Sequence, residues 1–241
     1  MDDGTMDDFE KVLGGIDGGK VLDVATQEGG FVQILIENLK SYQEIVGIDN
    51  NEHAIEIARD RNIRDDVRFL VMDAEQLDFE DRSFDTASIS ASLHHMSNVQ
   101  RVLEEMKRVL KTGGQFILAE MHRDGQTEAE LTSIYLHQWA AEVDSALGRL
   151  HKRTFSRQEL VDYVESMELG DIEIYDSVER DSDPLEMTRI EQLESLIERL
   201  IERAEGTRND KELKARGERL RKRLRDVGAL REPILLVIGS K

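Results

Sequence analysis

Residues 20–49 constrain the fold more than any other part of the chain. They read KVLDVATQEGG, then an amphipathic run, then EIVGID: a strand ending in an acid, a small-residue turn that opens a helix, and a second strand ending in another acid. A right-handed parallel βαβ crossover made from these pieces sets both carboxylates and the helix N-terminus along one edge of a sheet. Doubly wound folds bind their ligands at that edge.

The same alternation runs on. Helix 52–61, strand 67–72, strand 84–90, helix 99–110 and strand 115–121 follow, with turns at Asn50-Asn51 and at Thr112-Gly113-Gly114. Such β/α alternation with short connections predicts a parallel sheet covered by helices on both faces. In the third helix Val102, Leu103, Met106, Val109 and Leu110 fall at three- and four-residue spacing, an apolar stripe for packing on that sheet. Gly113 and Gly114 are expected to end it. A short amphipathic helix is expected ahead of the first strand, over residues 6–14.

Charge and composition narrow the partners. With 39% apolar residues in a chain of 241, a sizeable core can be buried. A net charge of −19 disfavours nucleic acid and anionic membrane surfaces, because phosphate affinity comes mainly from Lys and Arg. Zero cysteines exclude disulfides, thiolate metal ligands and a cysteine nucleophile, and fit a reducing compartment. No run of about 18 uncharged apolar residues occurs, and the first residues are acidic where a targeting signal would be basic. A soluble, cytoplasmic protein with no membrane partner is therefore expected.

Beyond Met121 the pattern changes. Residues 126–151 read as one or two helices carrying Tyr135, His137 and Trp139, the only tryptophan. Ser156 with Glu159 three residues on forms a capping box for the next helix, and strand 172–177 follows. Segments 185–205 and 209–227 are charged helical patterns with narrow apolar seams, Ile190, Leu193, Ile197, Leu200 and Ala204 in one and Leu213, Leu220, Leu224 and Val227 in the other. Residues 185–205 carry 6 acids and 3 bases, and residues 208–231 carry 4 and 10. Opposite signs favour a hairpin of these two helices, although exposed ion pairs add only ~0.2–1 kcal/mol each. Closing strand 233–239 suits an antiparallel partner of strand 172–177. The fold class predicted is α/β: a Rossmann-like, doubly wound seven-stranded sheet with an antiparallel last strand and a helical-hairpin insertion before it. Residues 1–181 and 232–241 form the main domain, with 122–168 as a substrate lid region. Residues 182–231 are the insertion, expected to act as a lid or as the contact of a homodimer.

Four motifs carry the chemistry: VLDVATQEGG, the strand end EIVGIDN, FLVMDAEQLDFEDRSFD and SISASLHHMSN. Any one is weak, but four in this order and spacing are specific. Over residues 20–122 the chain resembles the class I S-adenosylmethionine-dependent methyltransferases, and is most similar to the small-molecule enzymes related to ubiquinone and menaquinone biosynthesis. The resemblance implies S-adenosylmethionine as cofactor. It would be held by Asp23, Ala25, Gln27 and Gly29 at the turn, by Asp49 at the ribose with Asn50 beside the adenine, by Asp73 and Ala74 at the adenine edge with Met72 on the ring, and by the backbone near Ser90 at the amino end. Small residues suit the turn because the methionine moiety lies against backbone. Gln27 departs from this pattern, standing where the family has the middle glycine of D-x-G-x-G-x-G. If that position needs a positive φ, glutamine costs of order 1 kcal/mol.

The implied reaction is methyl transfer to a small-molecule acceptor by direct in-line displacement. A base is needed only for a protonated acceptor, with His95 the first candidate and His122 the second. His94, Arg123, Tyr135 and Trp139 lie where the family builds a substrate lid, and no metal site is expected. Two other functions stay open. One is a non-catalytic S-adenosylmethionine- or S-adenosylhomocysteine-binding protein with a degenerate turn at Gln27. The other is a nucleotide-dependent enzyme of similar architecture, although a dinucleotide fold would show G-x-G-x-x-G.

Overall fold

The computed structural model describes residues 11–125, 127–179 and 182–241. Of the helix expected over 6–14, residues 11–13 are helical, and residues 6–10 lie outside the described residues. Seven strands form one sheet: β1 (Lys20–Val24), β2 (Glu44–Asp49), β3 (Val67–Val71), β4 (Phe84–Ser90), β5 (Leu110–Met121), β6 (Gly170–Ser177) and β7 (Ile234–Ser240). Their order is β3-β2-β1-β4-β5-β7-β6, with β1 to β5 parallel and β7 antiparallel to both of its neighbours. The antiparallel pairing expected for the closing strand is thus present. Because the strand order reverses between β1 and β4, a crevice opens beyond their C-terminal ends.

Side chains alternate between two apolar layers, which is why these strands read as nearly continuous hydrophobic runs. Val21, Ile45 and Ile117 pack with Phe31, Val32 and Leu35 of α1 (Gly30–Asn38) and with Ile55 and Ala58 of α2 (Glu52–Arg61). Leu22, Val46 and Leu118 pack on the other face with the stripe of α3 (Val99–Val109) and with Leu160 and Val164 of α5 (Arg157–Ser166). Gly47 in β2 has a packing reason. A Cβ there would come within 2.7 Å of the Phe69 ring and 2.9 Å of the Thr26 hydroxyl, so only glycine lets the turn after β1 cross this strand.

One boundary differs from expectation. α3 ends at Val109, before Gly113 and Gly114, and Leu110 is already extended. The amides of Arg82 and Ser83 take the Arg108 and Val109 carbonyls, so the preceding loop closes the helix and the glycines fall inside an irregular start of β5.

A third layer is helical. α4 (Glu128–Ala146) begins at a capping box of Thr127 and Glu130, and α5 at the expected box of Ser156 and Glu159. The hairpin consists of α6 (Met187–Arg203) and α7 (Asp210–Val227), joined by the ion pairs Arg221–Glu198, Arg225–Glu194 and Lys214–Glu205. Its apolar seam does not face outward for a second copy of the chain. Ile197, Leu200, Leu213, Leu220 and Leu224 close over Leu136, Trp139 and Val143 of α4, so hairpin and α4 share one core. No described helix is long and apolar enough to cross a membrane.

Candidate active site

The strand register brings Asp23 opposite Gly47 and Ser88, and Asp49 opposite Val71, so the acidic strand tips share one edge. There a cleft of ~640 Å³ is lined by Ala25, Gln27, Asp49, Asn50, Asp73 and Ala74, within the size range of small-molecule sites. Met72, Met96 and Leu150 give it apolar walls. A second concavity shares Ala25 and Gln27 and adds Asp23 and Ser90. Gly29 stands behind the turn as the N-cap of α1. The nine residues read from sequence as cofactor-binding therefore surround one strand-tip region.

The turn itself explains the departure at Gln27. Ala25, Gln27 and Gly29 have φ of +55°, +49° and +82°, so every second residue of the turn is left-handed, the conformation that glycine adopts most readily. Glutamine tolerates this at a cost of order 1 kcal/mol, and its side chain is exposed at the rim. Asparagine visits the left-handed region more readily and, unlike glycine, adds no flexibility to the unfolded chain. Gln27→Asn is expected to raise stability by roughly 0.5–1 kcal/mol in chemical denaturation; an unchanged midpoint would show that the turn bears no strain at this residue.

Each acid has a distinct environment. The Asp49 carboxylate accepts the Gln27 amide at 2.9 Å and the Asn51 amide at 2.9 Å, one on each oxygen, which leaves a lone pair on each for a ligand. Asp73 is exposed and caps its own turn through the Glu75 amide at 2.9 Å. Asp23 is buried, accepts the Ser88 hydroxyl at 2.8 Å on Oδ1, and has no hydrogen-bond partner on Oδ2 among the described residues. Burial pushes its carboxyl up to about 7, opposed only in part by the nearby Thr26 hydroxyl, which is not placed to hydrogen-bond it, and by the Ser88 hydroxyl.

A buried glutamate shapes the far wall. Glu120 ends the apolar run of β5 and accepts the Ser92 and Leu93 amides at 2.9 and 2.8 Å on Oε2. Its Oε1 lies 3.2 Å from His94 Nδ1. The loop after β4 is thereby fixed, and His95 lines the cleft with Nδ1 3.5 Å from the Leu150 carbonyl. Burial, reinforced by the His94 and His151 rings, lowers the His95 imidazole to about 4. Sequence reading passed over Glu120, although an acid closing an apolar strand is the same signal that marks Asp23 and Asp49.

Several expected site residues lie elsewhere. His94 is buried behind His95 and does not line the cleft. His122 is buried just past β5, 3.9 Å from the Asp176 carboxylate, with no hydrogen bond to either ring nitrogen among the described residues, and it does not line the cleft. Arg123 is drawn to Glu159 and the Thr154 carbonyl and serves the start of α5. Tyr135 is on the outer surface of α4 beneath the Arg223 guanidinium. Trp139 is fully buried under the hairpin, where its indole bonds the Leu213 carbonyl at 3.0 Å. α4 thus turns Tyr135 and Trp139 toward solvent or toward the hairpin, and Arg123, which precedes α4, is taken up by the start of α5.

Known proteins match this architecture. A family described as "Methyltransferase domain" matches residues 16–176. A demethylmenaquinone methyltransferase of Thermotoga maritima is 35% identical over 122 residues, 50% of this chain and 52% of that protein. A ubiquinone/menaquinone biosynthesis C-methyltransferase of Idiomarina loihiensis is 32% identical over 122 residues, 49% of this chain and 48% of its own. The chain thus spans about half the length of the curated relatives it matches. A solved structure from Bacillus halodurans C-125 superposes with a TM-score of 0.65 at 18% identity, covering 98% of both chains. At that identity the likeness is one of fold.

Proposed function

The chain belongs to the methyltransferase-domain family, and on that footing we propose that it binds S-adenosylmethionine across the tips of β1 to β4 and transfers its methyl group to a small-molecule acceptor. The observation that carries this reading is the buried, unpartnered Oδ2 of Asp23 beside a turn with three left-handed residues. A carboxylate oxygen without a donor in a buried place suits a ligand that brings one, and the amino group of the cofactor does.

The residues divide the work by chemistry. Asp23 takes the ammonium end, and the backbone near Ser90 flanks it. Asp49 accepts the ribose hydroxyls on the lone pairs left by Gln27 and Asn51. Asp73 and the Ala74 amide read the adenine edge, and Asn50 and Met72 border the ring. When bound, the cofactor supplies an electrophilic methyl group on a sulfonium. In-line displacement at such a centre asks a protein for alignment and exclusion of water, and needs no covalent intermediate. Met96 and Leu150 serve the exclusion, and neutral His95 on the cleft wall accepts a hydrogen bond from the acceptor.

Calorimetry with S-adenosylmethionine and with NAD tests the proposal. Saturable binding of the first and none of the second is expected; the reverse would end this reading in favour of a dinucleotide enzyme. Binding without transfer of labelled methyl to any acceptor in a quinol, phenol and amine panel would favour the non-catalytic alternative. Asp49→Asn is expected to weaken the cofactor about 30-fold, close to 2 kcal/mol, by removing charge from the ribose contacts. Equal affinities for the variant and the parent would take Asp49 out of the site.

A further inference from the structure

We propose that His94, His137 and His151 form a binding site for a divalent transition-metal cation of the zinc type, set directly behind the cleft wall. One ring nitrogen of each lies within 4.8 Å of those of the other two. These three come from the loop after β4, from α4 and from the segment after α4, so no sequence spacing announces them.

Each imidazole faces a carboxylate through Nδ1, by a hydrogen bond for His94 and His151 and by an ion-pair contact for His137. His94 Nδ1 is 3.2 Å from Glu120 Oε1, His137 Nδ1 is 3.4 Å from Glu232 Oε1, and His151 Nδ1 is 2.8 Å from Asp144 Oδ2. A carboxylate on Nδ1 fixes the tautomer with the proton there and leaves the Nε2 lone pair for a metal, which is how protein zinc ligands are held. Three separate carboxylates facing three adjoining rings, two of them hydrogen-bonded, is more than an imidazole needs for its own satisfaction.

The distances agree. His137 Nε2 and His151 Nε2 are 3.1 Å apart, and two lone pairs at that separation repel unless a proton or a cation lies between them. Tetrahedral ligands at ~2.0–2.1 Å from zinc stand about 3.4 Å from each other, so this pair is near bonding separation. The three nitrogens, up to 4.8 Å apart, draw together on a bound cation. Imidazole nitrogen suits zinc, cobalt, nickel or copper rather than magnesium or calcium. Among the described residues no fourth side chain joins the set, so the last coordination position falls to an outside ligand. His95, whose ring centroid is 4.2 Å from His94 and 4.3 Å from His151, separates the trio from the cleft. The site is independent of methyl transfer, and its test does not use that reaction.

The full chain, stripped with a chelator, is titrated with zinc ions by calorimetry and with cobalt ions by absorption. Expected are one zinc per chain and the intense visible band of tetrahedral cobalt. His137→Ala and His151→Ala should each weaken zinc at least ~100-fold, and Glu232→Gln, which keeps all three ligands, by about 10- to 100-fold. His53→Ala, remote from the cluster, should change nothing. If an alanine variant loses its circular-dichroism signal, His137→Gln together with Glu232→Gln decides the matter. Absence of stoichiometric zinc binding, a weak octahedral cobalt spectrum, or binding indifferent to His137 and His151 overturns the site. A proton would then be what bridges the His137–His151 pair.

Discussion

Asp23→Asn is expected to stabilise the ligand-free protein above neutral pH while weakening S-adenosylmethionine at least about 100-fold. The folded Asp23 carboxyl is raised by burial from an ordinary 3.8 to about 7. Below pH ~4 both folded and unfolded chains hold the proton, and the residue costs nothing. Between pH ~4 and ~7 the unfolded chain releases the proton and the folded chain keeps it, so stability falls as pH rises. The loss totals on the order of 4 kcal/mol for a displacement of about three pH units, and it levels off above the folded value. Asparagine has no such proton. It keeps an acceptor for Ser88 and offers an N–H where Oδ2 now has no partner. Urea denaturation at pH 4.5, 6 and 8 should show the stability of the variant pulling ahead of the parent as pH increases. Parallel curves would mean that Asp23 ionises normally and that its burial is relieved by water.

The same ionisation sets the ligand's pH dependence. A cationic amino group binds the charged carboxylate, so S-adenosylmethionine affinity should tighten as pH rises through about 7 in the parent and stay flat in Asp23→Asn. The two measurements describe one trade: a group kept unpaired for a ligand makes the empty protein less stable.

The half of the fold that builds the cleft was legible because its signals are local. An acid at the end of an apolar run, a turn of small residues and a 3.6-residue stripe each need only a few neighbouring positions. They placed Asp23, Asp49 and Asp73 on one edge and picked out Gln27 as the misfit of the turn. What stayed hidden depends on contacts between distant segments. Whether Trp139 faces a substrate or a hairpin is decided by α6 and α7, some 50 or more residues further on. Gly217, which reads as a flaw in a helix, is explained by the Trp139 indole and Ile201, which a Cβ there would meet at 2.6 and 2.9 Å. The histidine cluster is hidden in the same way, since its orienting acids come from β5, α4 and the approach to β7.

Trp139→Ala is expected to cost ~3–5 kcal/mol, the range for deleting a fully buried aromatic side chain. The indole is in contact with α6 and α7, and a Cβ on Gly217 would come within 2.6 Å of its Cζ2, so the hairpin is cut to receive it. Gly217→Ala should therefore also destabilise, by about 1–3 kcal/mol through overpacking. The hairpin sequence taken alone suggests a detachable excursion whose removal leaves a folded domain. The packing predicts otherwise: deleting residues 185–227 strips cover from Leu136, Trp139 and Val143, an apolar patch that invites aggregation. As Trp139 is the only tryptophan, its fluorescence reports on this layer directly. Emission should be blue-shifted in the intact chain and move to the red on deletion. A soluble deletion variant with unshifted emission would show that α4 buries the indole without the hairpin. Arg203 of α6 also pairs with Asp144, the acid that orients His151. Loosening the hairpin should therefore lower zinc affinity as well, whereas an inert excursion would leave it unchanged.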